Sequence, residues 1–322
     1  MLYDIAAILA GFLLLIWSAD RFIVGAAATA RNLNVSPLII GLTIVGFGTS
    51  APEMLVSAIA SLNGNPGLAV GNAIGSNITN ITLVLGTAAL IMPLNVHSRI
   101  LRKELPLLLV AMLLALTLLQ DDNLGRTDGL ILLSMLMLLL WWMTGQALRN
   151  RSSSDPMDIE YSKELSARMP MTRAIFWLLL GLVVLIGSSK LLVIGAVNIA
   201  AAFGVSDLVI GLTVVAIGTS LPELATSIAG ALKNEHDIVI GNIVGSNLFN
   251  TLAVLGIPGL LSPARLDAGV LDRDIPTVFV LTIALVIMAY GFRGPGRINR
   301  FEGSILLTGF VGYQILLYNT AI

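Results

Sequence analysis

Two glutamates, Glu53 and Glu223, close the two most similar stretches of the chain: GLTIVGFGTSAPE at 41–53 and GLTVVAIGTSLPE at 211–223. A second phrase recurs at the same offset of 170, GNAIGSNITN at 71–80 against GNIVGSNLFN at 241–250, and the copies align without a gap from Ser36 to Gly86. Both glutamates sit inside apolar stretches. A carboxylate in a membrane-spanning segment costs on the order of 3 kcal/mol on insertion scales and marks a functional site by default. Two of them in duplicated, Gly- and Pro-broken segments point to a binding site shared between two halves of a transporter.

The residues around each glutamate suggest which ligand. Gly46 and Gly48 weaken the helix, Pro52 has no N–H to donate, and Pro52 biases Ala51 away from the helical region. Backbone carbonyls near Phe47–Thr49 are therefore expected to leave the helical ladder, which lipid tolerates only where they line a cavity or are buried in protein. Together with Thr49, Ser50 and Glu53 they form a set of hard oxygen donors, and Thr219, Ser220 and Glu223 supply the same set from the second copy. Such donors suit Ca²⁺, Mg²⁺ and Na⁺; Zn²⁺ and Cu²⁺ prefer imidazole and thiolate. The chain has no cysteine, and its two histidines, His97 and His236, are read as loop residues at non-equivalent positions of the repeat. Two carboxylates offer a charge of −2, which one divalent cation, several Na⁺ ions or two protons would neutralise. Competition for that pair is a physical basis for exchange.

The second phrase has a helical logic. Gly71 and Gly75, and likewise Gly241 and Gly245, have the GxxxG spacing that lets helices approach closely in lipid. Asn72, Ser76 and Asn80 recur every four residues and share a helix face, as do Asn242, Ser246 and Asn250. Ser76, Asn80, Ser246 and Asn250 are read as facing the cation. For Asn72, Asn77, Asn242 and Asn247 two readings stand: the same role, or satisfying freed backbone groups.

These motifs need a scaffold, and composition says which. Of 322 residues, 56% are hydrophobic and only 11% charged, and the net charge is −1; mean hydropathy is +0.92. Soluble domains carry about 25% charged residues, so the chain reads as an all-α integral membrane protein, with nothing to suggest nucleic-acid binding. Without cysteine there are no disulfides. The N-terminus lacks a basic region ahead of its first apolar stretch, which reads as a retained helix. Segments of about 20 apolar residues can span a bilayer, and ten are expected: 5–30, 36–62, 67–92, 103–120, 127–148, 172–201, 206–232, 238–261, 274–292 and 301–319. A mixed-charge linker at 149–173, containing SSSDP, divides an N-terminal five-helix unit (1–148, motifs within 36–92) from a C-terminal one (174–322, motifs within 206–262). It reads as a flexible connector.

The duplication covers the whole unit. Ser18 matches Ser188, Gly25 matches Gly195, LRKELP at 101–106 matches LDRDIP at 271–276, and RTDGLILLS at 126–134 matches RFEGSILLT at 300–308 with an offset of 174. Five helices is an odd number, so the two units enter the membrane from opposite sides as inverted repeats, and broken helices two and seven meet at a midplane ion site. With the N-terminus outside, the inward loops hold 13 of the 18 Lys and Arg residues and the outward loops Arg126, Arg265 and Arg273; both termini are expected outside and the linker in the cytoplasm. Arg21 and Lys190, inside spans near helix ends, read as snorkelling, with Asp20 a local partner for Arg21. The charged clusters at 102–104 and 272–274 read as interfacial anchors, and Trp141 and Trp142 as part of an aromatic belt.

The paired motifs GTSAPE (48–53) with GSNITN (75–80), and GTSLPE (218–223) with GSNLFN (245–250), resemble the two α-repeats of the cation/Ca²⁺ antiporter superfamily, the sodium/calcium exchanger family. The pattern is most similar to that family's bacterial YrbG-type branch, and the resemblance covers nearly the whole chain. It implies ten helices with ion sites between helices two, three, seven and eight, and helices one and six that slide during alternating access. It implies that Glu53 and Glu223 bind Ca²⁺ and contribute to Na⁺ sites, and that Thr49 and Thr219 offer backbone carbonyls to Ca²⁺. It implies that Ser50, Ser220, Ser76 and Ser246, with carbonyls at Gly46 and Ala216, serve Na⁺. One departure stands out. Well-studied exchangers often carry aspartate where this chain has Asn250, which argues against a potassium-dependent mode and leaves Na⁺ and H⁺ both open as counter-ion.

The leading expectation is a secondary antiporter moving Ca²⁺ against Na⁺ across the plasma membrane of a bacterial or archaeal cell. The same fold would serve H⁺/Ca²⁺ exchange or another divalent cation such as Mn²⁺ or Mg²⁺. A passive channel would conduct without coupling. An intramembrane hydrolase with the glutamates as acid and base is a reading of another class, and the absence of HExxH, of cysteine and of a nucleophile–histidine pairing weighs against it. No enzyme activity, cofactor or obligate protein partner is expected. Both half-sites lie on one chain, so a monomer in the bilayer suffices.

Overall fold

The structure is a computed structural model of the 322-residue chain and describes residues 2–33, 35, 37–64, 66–96, 101–149, 169–202, 216–266, 269–290 and 296–321. Long apolar runs make helices because a helix satisfies its own backbone in lipid. In chain order these are α1 (Leu2–Leu33); α2, formed by Pro37–Ile40, a π turn at Gly41–Val45, and Gly46–Thr49; α3 (Ala51–Leu62); α4 (Pro66–Ile91), with a π turn at Asn80–Val84; α5 (Leu101–Leu118); and α6 (Arg126–Arg149). After the linker come α7 (Met171–Ala202), α8 (Ala216–Thr219), α9 (Leu221–Leu232), α10 (His236–Leu261), with a π turn at Asn250–Val254, α11 (Ile275–Tyr290), entered through a π turn at Val270–Asp274, and α12 (Arg300–Ala321). Two short antiparallel pairs join helix ends: β1 (Leu94–Val96) with β4 (Gly296–Ile298), and β2 (Asn123–Leu124) with β3 (Ala264–Arg265).

Among the described residues six helices are long and apolar enough to cross a membrane, and the bent pair α2–α3 makes seven. Each of the ten expected spans overlaps a helix. However, α11 has only 16 residues and the apolar part of α5 is short. The expected span at 206–232 begins in residues outside those described, as does most of the expected linker. Outward faces are apolar: Leu13, Leu130, Met137, Trp141 and Val183 are exposed, as lipid contact requires.

Close crossings organise the interior. α10 is buried along its whole apolar length. A side chain on Gly245 would strike the Leu42 carbonyl, one on Gly46 would meet Gly245, and one on Gly41 would come within 2.7 Å of the Ile238 carbonyl. The GxxxG of the second copy therefore seats α2 directly on α10. α1 and α7 lie antiparallel: Gly25 abuts Ala174 and Leu178, and Gly195 abuts Asp4 and Ile8. These contacts exchange under the offset of 170. Elsewhere contacts exchange with an offset of 170 for one partner and 174 for the other. Gly86 of α4 abuts Gly303 of α12, and Gly256 of α10 abuts Gly129 of α6; Leu94 pairs with Ile298 and Leu124 with Ala264.

Two expectations are corrected, and Arg21 gains further contacts. His236 is the first residue of α10 and not a loop residue, because the turn at Asn234 (φ 59) reverses the chain so tightly that the helix starts there; His97 lies outside the described residues. The charged clusters at 102–104 and 272–274, read as interfacial anchors, include side chains that are buried. Glu104 and Asp274, repeat equivalents, are buried, and Asp274 accepts hydrogen bonds from Arg273 (2.6 and 3.0 Å) and from the Tyr313 hydroxyl (2.9 Å). Arg21 sits in the interior of α1 and rests on the Trp177 ring at 5.2 Å. The expected local pair of Asp20 with Arg21 is present at 3.7 Å, and Asp20 also pairs with Lys233 at 2.7 Å.

The α6–α10 crossing gives a direct test. A Cβ on Gly129 would lie 2.5 Å from the Leu260 nitrogen and 2.6 Å from the Gly256 oxygen, both backbone, whereas one on Gly309 meets nothing within 4 Å. Gly129→Ala is expected to destabilise the purified protein by about 1–3 kcal/mol, with Gly309→Ala unchanged. Thermal unfolding in detergent, followed by tryptophan fluorescence, reads both. Equal melting temperatures for the two variants would mean the crossing is not close.

Candidate functional site

Proline decides where the helices open. Pro52 and Pro222 have no N–H, so the carbonyls of Gly48 and Gly218, four residues earlier, lose their helical donors. The helix breaks at the residue between: Ser50 has φ −83, ψ 1 and Ser220 has φ −87, ψ 4, a sparsely populated backbone region, and α2 and α3 meet at 47°. The Gly48 carbonyl lies within Phe47–Thr49, where released carbonyls are expected, and the backbone itself departs from the helix at Ser50. The Ser50 N–H still reaches the Gly46 carbonyl at 3.0 Å. Serine hydroxyls of other helices serve two orphaned carbonyls: Ser189 donates to Gly218 (2.8 Å), and Ser57 donates to Val254 (2.6 Å), orphaned by Pro258.

The break delivers Glu53 and Glu223 to the third position of α3 and α9, where the free N–H groups and positive end of a helix favour an anion. Both are fully buried, at 0% exposure. Around Glu223 the two halves interleave. Ser50 donates to its Oε1 (3.2 Å), Ser246 reaches the same oxygen (3.5 Å), and the Thr49 hydroxyl lies 3.4 Å from that of Ser246. Ser220 lies beside Glu53, mirroring Ser50 beside Glu223, but its hydroxyl makes no hydrogen bond. Ser76 is buried, Thr219 is half-buried, and Ala216 opens α8.

Asn80 and Asn250 each start a π turn at equivalent points of α4 and α10, where the ladder widens: the Leu85 and Leu255 N–H groups reach back to the carbonyls of Asn80 and Asn250. Single π turns inside α-helices often mark functional sites. Both asparagines are completely buried. Neither oxygen of Glu53, Oε2 of Glu223, nor any amide atom of Asn80 and Asn250 has a hydrogen-bond partner. Buried polar atoms are almost always bonded, so this concentration of unsatisfied oxygens in two repeated motifs has the chemistry of a cation shell. A cavity of about 20 Å³, room for roughly one water, adjoins Asn250 and is lined by Asn77, Met112 and Thr251. Among the described residues no three His, Cys, Asp or Glu side chains cluster, so the shell is two carboxylates and neutral oxygens.

The four asparagines left open divide. Asn72 donates to a backbone group, the Glu53 carbonyl (3.2 Å), and Asn77 donates to the Thr251 hydroxyl (3.0 Å). Asn242 binds three hydroxyls, those of Thr49, Thr226 and Ser227. Both amide atoms of Asn247 are buried without a partner. Thr226, Ser227, Ser57 and Ser189 were not singled out from the sequence. A proline four residues after a carbonyl flags the need for a donor, but not which helix supplies it.

The family model for the sodium/calcium exchanger protein matches residues 3–145 and 173–319. The chain belongs to the sodium/calcium exchanger family. It is 49% identical over 324 residues, 99% of this chain and 100% of the relative, to "Putative antiporter CaxA" of Alkalimonas amylolytica. It is 41% identical over 99% of its length, and 98% of the relative's, to "Inner membrane protein YrbG" of Escherichia coli (strain K12). Among solved structures, the sodium-calcium exchanger NCX_Mj, soaked with 2.5 mM Na⁺ and 1 mM Sr²⁺, superposes with a TM-score of 0.84 at 32% identity, over 98% of both chains. The family's members are exchangers, and the chain is a membrane protein with their fold.

A ligand that binds only the folded protein stabilises it, by about 2.7 kcal/mol at a hundred times its dissociation constant. Millimolar Ca²⁺ is therefore expected to raise the melting temperature of the detergent-solubilised protein, and a chelator to reverse the rise. The double variant Glu53→Gln, Glu223→Gln is expected to melt at one temperature with or without Ca²⁺. If it keeps the wild-type shift, the ion binds elsewhere.

Proposed function

We propose that this chain is a secondary antiporter that moves Ca²⁺ across the cell membrane in exchange for Na⁺ by alternating access. One observation carries the reading: two fully buried glutamates, one from each sequence repeat, share a shell of neutral oxygens whose hydrogen-bonding capacity is largely unspent. In a dry interior such a pair must be neutralised, because an isolated buried charge is prohibitively costly. One Ca²⁺ does so, and Na⁺ ions compete for the same oxygens.

The ligand set is Glu53 and Glu223, the hydroxyls and carbonyls of Thr49, Thr219, Ser50, Ser220, Ser76 and Ser246, the amides of Asn80 and Asn250, and the carbonyls of Gly46 and Ala216. The architecture is ten helices in two inverted units, 1–148 and 174–322, with both termini outside and the linker at 149–173 in the cytoplasm. The exchanging contacts of Gly25 with Gly195, Gly86 with Gly256, and the two strand pairs support the inversion. One chain holds both half-sites, so a monomer suffices.

A second reading keeps the site and replaces Na⁺ with H⁺. Both carboxylates are fully buried, and two protons would neutralise the pair as one divalent cation does, so in this reading protons are the counter-ion. Radioactive Ca²⁺ uptake into proteoliposomes loaded with Na⁺ or with K⁺ at fixed pH, and under an imposed pH gradient, separates the two. Uptake that requires internal Na⁺ is expected. Uptake driven by the pH gradient alone would transfer the coupling to H⁺.

In the same vesicles Glu53→Gln and Glu223→Gln are each expected to reduce Ca²⁺ uptake to background while inserting normally, since each removes half of the shell's charge. Full transport by either folded variant would end the shared-site reading. Asn250→Asp adds a third acid to the shell and is expected to change the dependence on Na⁺, K⁺ and pH more than it changes expression. An unchanged ion profile would remove Asn250 from the site.

A further inference from the structure

Thr49 presents a hydroxyl beside Glu223, and its usefulness as a ligand depends on where its one hydrogen points. Four acceptors lie at hydrogen-bond distance, the carbonyls of Val45 (3.1 Å) and Gly46 (3.4 Å), Oδ1 of Asn242 (3.0 Å) and Oγ of Ser246 (3.4 Å), and the Glu223 carboxylate competes for the same hydrogen from the ion side. The Asn242 contact is the shortest and comes from the opposite half of the chain. The hydrogen-bond network itself fixes which way that amide faces. Thr226 donates its hydroxyl hydrogen to backbone carbonyls, Pro222 at 2.8 Å or Glu223 at 3.1 Å. Its oxygen is then left as an acceptor, so the group of Asn242 that faces it must be the NH₂, at 3.2 Å, which also donates to Ser227 at 3.3 Å. The amide oxygen is thereby turned toward Thr49. All four side chains are at least 99% buried, so water does not compete for these bonds.

We infer that Asn242, locked by Thr226 and Ser227, is a positioning residue that draws the Thr49 hydrogen away from the site and leaves the hydroxyl lone pairs facing the ion at Glu223. Ser246, 3.4 Å from Thr49 and 3.5 Å from Glu223, sits on that lone-pair side. The device belongs to one half only. The repeat equivalent of Thr226 is Val56, which has no hydroxyl, and the equivalent of Asn242, Asn72, turns instead to the Glu53 carbonyl (3.2 Å). The four-residue relay therefore tunes the half-site built on Glu223.

This inference rests on the Ca²⁺-exchange reading above, and the test separates the two. Initial rates of Ca²⁺ uptake against Ca²⁺ concentration give KM and kcat for wild type, Thr49→Val, Asn242→Leu, Thr226→Val and the double variant Thr49→Val, Asn242→Leu. Loss of one well-placed neutral ligand is expected to raise KM about tenfold for Thr49→Val and Asn242→Leu, with kcat within about twofold. Thr226→Val preserves shape and releases the amide, so a KM rise of about threefold is expected. The double variant is expected to be no worse than Thr49→Val alone, because the two residues act through one hydroxyl. KM effects that multiply in the double variant, or a Thr226→Val variant with wild-type KM, would overturn the relay while leaving Ca²⁺ exchange standing. Absence of uptake by wild type would instead defeat the exchange reading. Thermal melting of each variant reports folding, and Thr226→Val, the mildest change, decides the matter if Asn242→Leu does not fold.

Discussion

Two carboxylates held in a dry interior govern the rest of this structure. Their lost hydration is not met by any cationic side chain among the described neighbours: the groups that touch Glu223 are hydroxyls, and the carboxyl oxygens of Glu53 make no hydrogen bond. A lysine or arginine there would neutralise the pair permanently and fill the site. Neutral oxygens do the opposite. They lower the cost of burying the acids only slightly, so under the proposed function a mobile cation supplies most of the stabilisation and one cation can replace another.

The scaffold follows from that need. Carbonyl and hydroxyl oxygens can converge on a buried point only if helices open there, and in lipid an opened helix must find substitutes for its lost bonds. Prolines at 52, 222 and 258 remove donors at chosen positions, while Ser189 and Ser57 supply replacements from neighbouring helices. Glycines then bring backbones close enough for those short side chains to reach. The crossing of Gly41 and Gly46 with Gly241 and Gly245 places Thr49 and Ser50 of one half against Asn242, Ser246 and Glu223 of the other. A larger residue at these glycines would separate the half-sites even with every ligand intact.

Much of this was legible in the sequence because duplication marks it twice. The offset of 170 picks out Glu53 and Glu223, and the Gly and Pro spacing announces the helix breaks. Periodicity also places Ser76 and Asn80 on one face. What stayed hidden depends on contacts distant in sequence. Nothing in LDRDIP reveals that Tyr313, 39 residues later, caps Asp274 and takes it out of solvent. His236 looked like a loop residue because the turn before it is unusually tight. The partners of Asn72, Asn77 and Asn242 differ although their motif is the same, since each amide answers to whichever side chain the opposing helix happens to present.

That last point bears on what the repeats are for. Residues of the proposed ion site are kept in pairs: Glu53 with Glu223, Ser50 with Ser220, Ser76 with Ser246, Asn80 with Asn250. Residues one layer behind are matched less strictly: Ser57 and Ser227 agree, but others differ. Val56 stands opposite Thr226, Ala19 opposite Ser189 and Ile81 opposite Thr251, and in each case the polar member makes a buried hydrogen bond that its apolar counterpart cannot. The same imbalance appears farther out. Asp20 pairs with Lys233 and Arg31 with Glu235, whereas the equivalent positions hold Lys190 with Asn63 and Ala201 with Asn65, combinations that cannot form ion pairs. Two identical halves would give two openings of equal energy. This chain keeps the ligands matched and lets their supports differ, so the half-site geometry is shared while the energy that holds each half in place is not.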